Sequence, residues 1–186
     1  MINGGYNNSD TIQFVTIASL GNAADFGNLT SGRHQLGALS NQTRSIVVGG
    51  ASSNVMDFVT IAQTGNAVDF GDLPNPRFEM GCQCTSATRA VFGGGKTPTT
   101  VNTMEFITMA TTGNAIDFGD LTRATYQVPS GVVSSPTRGL CVAGYPSPSL
   151  VIDAFEIATT GNSVDFGDCT TSANSGYAFT SGHGGL

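Results

Sequence analysis

The chain has 186 residues, a net charge of −6, and 11% charged against 39% hydrophobic residues. That balance excludes disorder, which needs few apolar residues and high net charge, and the acidic excess disfavours a nucleic-acid partner. No stretch is long and apolar enough to span a bilayer as a helix, and a chain of this length buries roughly 70% of its unfolded surface without disulfide staples.

The chain opens on Met1-Ile2-Asn3-Gly4-Gly5, which lacks the basic and apolar blocks of a secretory signal and predicts release by another route, such as lysis. Thr11 to Ala18 alternates as a strand, and L-G-N-A-A-D-F-G-N-L follows at 20–29. This two-part phrase returns three times. Val55 to Ala62 precedes T-G-N-A-V-D-F-G-D-L at 64–73, and Thr103 to Ala110 precedes T-G-N-A-I-D-F-G-D-L at 112–121. Val151 to Ala158 precedes T-G-N-S-V-D-F-G-D-C at 160–169. The Gly-Asn pairs at 21, 65, 113 and 161 set periods of 44, 48 and 48 residues. Between the phrases lies a third run, T-R-S-I-V-V-G-G at 43–50, T-R-A-V-F-G-G-G at 88–95 and T-R-G-L-C-V-A-G at 137–144.

The third unit serves as the pattern. Arg77 to Thr85 is the predicted first strand, Arg89 to Gly94 the second, Thr103 to Ala110 the third and Ala115 to Leu121 the fourth. The link between the last two is a tight hairpin, with Gly113 expected at positive φ. Four antiparallel strands in about 45 residues is the arithmetic of a propeller blade. The expected fold is all-β, one domain over 1–186, with blades at 33–73, 77–121 and 123–169. A further blade joins 175–186 to 1–29, so that pairing of the terminal strands closes a four-bladed ring and removes open edges. The predicted inner strands carry small residues, Gly37-Ala38, Gly81-Cys82, Pro129-Ser130-Gly131 and Thr180-Ser181-Gly182, as a crowded axis requires. Eight of eleven phenylalanines fall at two repeat positions: Phe14, Phe58, Phe106 and Phe155 on the third strands, Phe26, Phe70, Phe118 and Phe166 on the fourth. They are expected to pack between neighbouring blades.

A di-glycine closing the second strand, an apolar strand and a further hairpin together resemble the kelch-type blade. The wording T-I-A-T-T-G-N-A-x-D-F-G-D-L-T with S-x-T-R-G-x-x-G-G resembles kelch-like repeats of bacteriophages, marine and cyanobacterial ones above all. The chain departs from kelch in having no Trp. The resemblance covers nearly the whole chain and implies a virion or appendage component, assembled in the host cytoplasm, with no catalytic residue.

The Asp-Phe-Gly at 117–119 matches the kinase magnesium motif in letters only, since the glycine-rich and catalytic loops are missing. Seven of thirteen acids lie in the repeated phrase: Asp25, Asp69, Asp117, Asp165, Asp72, Asp120 and Asp168. Six of seven basic residues also recur, Arg44, Arg89 and Arg138 opening the second strand, Arg33, Arg77 and Arg123 near the first. Fork-on-carboxylate pairing between the two sets is expected. Calcium held by the aspartates is the rival, though the dense D-x-D-x-D pattern is lacking; otherwise no cofactor is expected. Only Lys96 is left over, so no basic patch forms. His34 and His183 lie on predicted inner strands without a triad spacing, and the Asn7, Asn28 and Asn41 sequons suit an Asn- and Thr-rich chain. Cys82, Cys84, Cys141 and Cys169 show no disulfide or zinc spacing and read as free thiols.

The expected role is therefore a non-enzymatic structural or adhesion module in an oligomeric virion or fibre, contacting other structural proteins and host-surface glycans, without membrane insertion. The alternative is a lectin-like propeller, against which Tyr6, Tyr126, Tyr145 and Tyr177 share no repeat position. The loops after the second strands, at 51–53, 96–102 and 145–149, vary most, and Lys96, Thr97, Tyr145 and Pro146 are the candidate partner contacts.

Overall fold

A computed structural model describes residues 2–3, 7–50, 53–126, 132–142, 144–146 and 149–173. Within them the chain is all-β, without a helix, and every paired strand is antiparallel. Sheet 1 holds β1 (Ile2–Asn3), β2 (Thr11–Phe14) and β3 (Ala24–Asn28) in that order. Sheet 2 holds β4 (Gly37–Ser40), β5 (Arg44–Val48), β6 (Val55–Thr60) and β7 (Val68–Asp72). Sheet 3 runs β8 (Cys82–Thr85), β9 (Arg89–Gly93), β12 (Thr103–Thr108) and β13 (Ile116–Asp120), with the small hairpin β10 (Lys96–Thr97) and β11 (Thr99–Thr100) between β9 and β12 in sequence. Sheet 4 holds β14 (Val132–Ser134), β15 (Arg138–Val142), β16 (Ser149–Glu156) and β17 (Val164–Ala173).

The expected up-and-down order within each unit is thus present in sheets 2 to 4, and sheet 1 shows its last three strands. The segments expected to complete it, 175–186, lie outside the described residues, as do Pro129-Ser130-Gly131, Tyr6, Tyr177 and His183. The first strands converge, with β8 beside β4 on one side and β14 on the other. Small residues permit this approach: a Cβ on Gly81 would stand 3.0 Å from the carbonyl oxygen of Thr125, and one on Gly37 3.2 Å from Met80.

Three apolar clusters fill the spaces between successive sheets. Phe26 and Leu29 of unit 1 meet Val47, Val59 and Ala67 of unit 2. Phe70 and Leu73 meet Ala90, Phe92, Ile107 and Met109 of unit 3. Phe118 and Leu121 then meet Cys141, Phe155 and Ile157 of unit 4. Phe166 keeps its repeat position but is 56% exposed, and six of the expected eight phenylalanines obey the repeat, with Phe14–Phe26, Phe58–Phe70 and Phe106–Phe118 edge-to-face at 5.9, 5.8 and 6.0 Å. Phe155 does not. It stands six residues before its Gly-Asn pair where the others stand seven, so strand alternation turns it to the opposite face. There it packs on Phe118 of the preceding sheet, 5.6 Å away, and Ala154 occupies the repeat position.

The Asp-Phe-Gly phrase is a β-bulge. In each unit the register slips at the phrase, so that in unit 3 Met104 faces Gly119 while Glu105 faces Asp117, leaving Phe118 as the extra residue. The same slip recurs at Met56/Asp57, Ile12/Gln13 and Ile152/Asp153. The glycine then sits at a positive φ, +139° at Gly71 and +143° at Gly119, which side chains rarely tolerate. The aspartate caps its own bulge: Asp69 accepts from the Gly71 amide at 3.1 Å and Asp165 from Gly167 at 2.9 Å.

The hairpin glycine has a different task from the one expected. Gly113 is not among the positive-φ residues; its amide donates to the Phe70 carbonyl at 2.7 Å, and its own carbonyl oxygen lies 2.4 Å from where a Gly71 Cβ would be. The close approach demands glycine at 71, whereas a Cβ on Gly113 meets nothing within 4 Å. Gly71→Ala should therefore lower the unfolding free energy by about 2–4 kcal/mol, combining overpacking with backbone strain. Gly113→Ala should stay within about 0.5 kcal/mol of the parent in the same urea titration.

Candidate functional site

The repeated residues build the joint between one sheet and the next. In units 1 to 3 the fourth strand leaves its outer edge unpaired within its own sheet, and the Gly-Asn hairpin of the following unit fills that edge. Gly65 donates to Phe26 O at 2.7 Å and Ala67 to Asn28 O at 2.8 Å. Gly113 and Ala115 do the same to Phe70 O and Asp72 O, at 2.7 and 2.9 Å, and Gly161 and Ser163 to Phe118 O and Asp120 O, at 2.7 and 2.8 Å. The Asn side chain completes the mimicry of a strand: Asn66, Asn114 and Asn162 each accept, at 3.0 Å, from the amide of residue 28, 72 or 120. This role of the Asn was missed in the sequence, where the phrase reads as an intra-sheet turn. Its fourfold recurrence was the available signal.

The di-glycines make a second tie. Gly50 and Gly95 donate to the carbonyls of Arg77 and Thr125, in the segments that lead into the next unit's first strand, at 2.8 and 2.7 Å. The arginines opening the second strands make a third. Arg44 lies over the Phe58 ring at 4.6 Å and donates to Met109 O at 2.9 Å; Arg89 lies over Phe106 at 4.3 Å and donates to Ile157 O and Ala158 O at 3.0 and 2.9 Å. These guanidiniums thus reach backbone carbonyls of the following unit, not the motif aspartates. Arg138 instead pairs with Glu156 at 3.0 Å, both about half exposed.

Arg33 and Arg77 pair with acids outside the repeated phrase, which corrects the expected partnership for these two. Arg33 bonds to Asp57, Gly49 O and Val55 O, all within a buried pocket, and Arg77 takes Glu105 with both guanidinium nitrogens and Thr103 with Oγ1 at 2.9 Å. In unit 4 the buried Asp153 accepts from the Thr122 amide and from Ser163 Oγ, while Arg123 donates to Val151 O at 3.2 Å. Burial pulls the Arg33 guanidinium below its ordinary value against the opposing charge of Asp57; burial likewise raises Glu105 against the pull of Arg77. Asp25, Asp69, Asp117 and Asp165 are exposed, and no group of three or more His, Cys, Asp or Glu able to hold a metal occurs among the described residues. His34 meets Asn8 at the surface, 2.7 Å away.

Cys82, Cys84 and Cys141 are buried free thiols between sheets 3 and 4, and Cys169 is partly exposed. Mutual hydrogen bonding with Cys82 and burial hold the Cys141 thiol well above its ordinary value. On the loop rim Lys96 and Tyr145 each contact Tyr126. Lys96 Nζ lies 3.8 Å above the Tyr126 ring and 3.8 Å from Glu79, and Tyr126 meets Tyr145 edge-on at 4.8 Å and pairs with it through backbone bonds. Thr97 is tied into the β10–β11 hairpin, and Pro146 follows Tyr145 at the exposed tip.

Neither a scan against protein-family models nor a search of curated proteins returned a match.

Glu105→Gln, which leaves Arg77 buried beside an uncharged partner, should cost about 3–5 kcal/mol. Glu156→Gln, at the exposed pair, should change stability by less than about 1 kcal/mol. Arg89→Ala should fall between them, at about 1–3 kcal/mol, through lost carbonyl bonds and ring stacking. Equilibrium unfolding of the three variants checks the order.

Proposed function

We propose that the chain is a non-enzymatic structural and interaction module: a kelch-like β-propeller at a bacteriophage virion surface or appendage, assembled in the host cytoplasm and used for decoration or adhesion. The observation that carries it is the use of the repeated chemistry. Aspartates cap bulges, asparagines and glycines join sheets, and arginines bind neighbouring carbonyls or buried acids, so the recurring polar groups serve architecture. The phage-like wording of the repeat supports the setting, and fold alone would not. In its finer form the four sheets are blades of one ring, with 175–186 supplying the first strand beside β1. A ring of this kind leaves its loops free to carry partner contacts.

A lectin-like role is the second reading, favoured by the cluster of Lys96, Tyr126 and Tyr145 on one rim, where Tyr145 is 37% exposed. The cluster joins units 3 and 4 and does not recur at an equivalent place in sheet 2, so it would serve a single glycan pocket.

Cryo-electron microscopy of the particle carrying this chain tests the choice. Four-stranded sheets docked in a ring on a capsid, tail or fibre are the expected result. A free ring with a saccharide bound against Tyr145 would replace the structural role with the lectin one.

A further inference from the structure

The first and second strands of sheets 2 to 4 are joined by tight turns at 40–43, 85–88 and 134–137. Each second strand starts at such a turn and runs to the loop beyond it, so the turns lie at the opposite end of the sheets from the rim that carries Lys96 and Tyr145. Strands β4 and β14 both lie against β8, which brings the three turns together. Between them is a concavity of about 570 Å³.

Its walls are held by the turns themselves. Asn41 Oδ1 accepts from the Arg44 amide at 2.8 Å, Ser86 Oγ from the Arg89 amide at 3.1 Å and Ser135 Oγ from the Arg138 amide at 3.0 Å. Asn41 also donates through Nδ2 to Ala87 O at 2.9 Å, tying the turn of unit 2 to that of unit 3. A ligand would therefore meet a formed surface and would not have to order it.

The residue before each turn-holding side chain is a hydroxyl: Ser40, Thr85 and Ser134, one per unit at the same repeat position, and all three line the concavity. Among the described residues these hydroxyls have no hydrogen-bond partner. That separates them from Asp69, Asn114 and Arg89, whose recurrence is explained by bonds within the fold.

The lining also selects the ligand. Among the described residues none that lines the concavity is charged. A charged ligand would lose hydration there without a counter-charge, and an apolar one would leave the hydroxyls unpaired. Ser and Thr hydroxyls each donate and accept, as does the Gln42 amide on the same wall, which matches the O–H groups of a neutral polyol. Ala87 and Pro136 add apolar surface for the C–H face of a ring. The volume lies within the range of about 300–1,000 Å³ usual for small-molecule sites.

We infer that this concavity binds a neutral pyranose sugar, held by the hydroxyls of Ser40, Thr85 and Ser134. The inference goes beyond the structural role and needs sheets 2 to 4 alone, so it stands apart from ring closure, from the virion setting and from the Tyr145 rim. A few neutral hydrogen bonds imply a dissociation constant on the order of millimolar. Firm attachment to a glycan surface then comes from many copies acting together.

Titration of the isotope-labelled chain with glucose, galactose, mannose and glucuronate, followed by the amide resonances, tests this. At least one neutral hexose should shift the amides of 40–43 and 85–87 and saturate by about 50 mM, while glucuronate leaves them in place. Thr85→Val, which removes a hydroxyl and keeps the shape, should weaken that hexose by about threefold to tenfold with the melting temperature unchanged, and Ser134→Ala should do the same. Three results would each overturn the site: no shift with any neutral hexose, shifts at Tyr126 and Tyr145 instead, or both variants titrating as the parent does. Absence of a closed ring or of the chain from a particle would overturn the proposed function and leave this site standing.

Discussion

The outer edge of each fourth strand is a row of amides and carbonyls that its own sheet cannot satisfy, and the fold is organised around covering it. An uncovered edge is costly when buried and a template for stray pairing when exposed. Here the cover is a hairpin of the next unit, held by two backbone bonds and one Asn side chain, which extend the sheet without a further strand. The device is local to a pair of neighbours, so it can be repeated unit by unit.

Much of the remaining sequence serves that contact. The bulge turns Phe70 or Phe118 inward beneath the arriving hairpin, and the following glycine removes the Cβ that would strike it. The aspartate before the phenylalanine holds the bulge by accepting from that glycine. Above and below, the di-glycine and the second-strand arginine bind carbonyls of the same neighbour. Hydrophobic burial between the sheets supplies the driving force, and these polar contacts fix the spacing at which it acts.

Strand positions were legible because apolar alternation and punctuation coincide: the expected third strand at 103–110 is observed at Thr103–Thr108, and the fourth, expected at 115–121, at Ile116–Asp120. The partners of the arginines were not legible. Asp57 and Glu105 differ in identity and lie inside apolar strands, whereas the conspicuous aspartates of the phrase are used for backbone capping. Phe155 was misplaced because its identity matches Phe106 while its register is one residue away, and on a strand one residue reverses the face. The purpose of the Gly-Asn pair was hidden for a different reason. A bond between units more than 40 residues apart leaves no local pattern beyond the recurrence itself.

Amide hydrogen exchange at the hairpins tests the central claim most directly. Gly65, Gly113 and Gly161 are solvent-exposed residues in loops, so surface position alone predicts rapid exchange. Bonding to the preceding sheet predicts that these amides, with Ala67, Ala115 and Ser163, are protected to the same order as the interior strands β5 and β9. Exchange at the rate of an unstructured loop, with β5 and β9 still protected, would contradict the account.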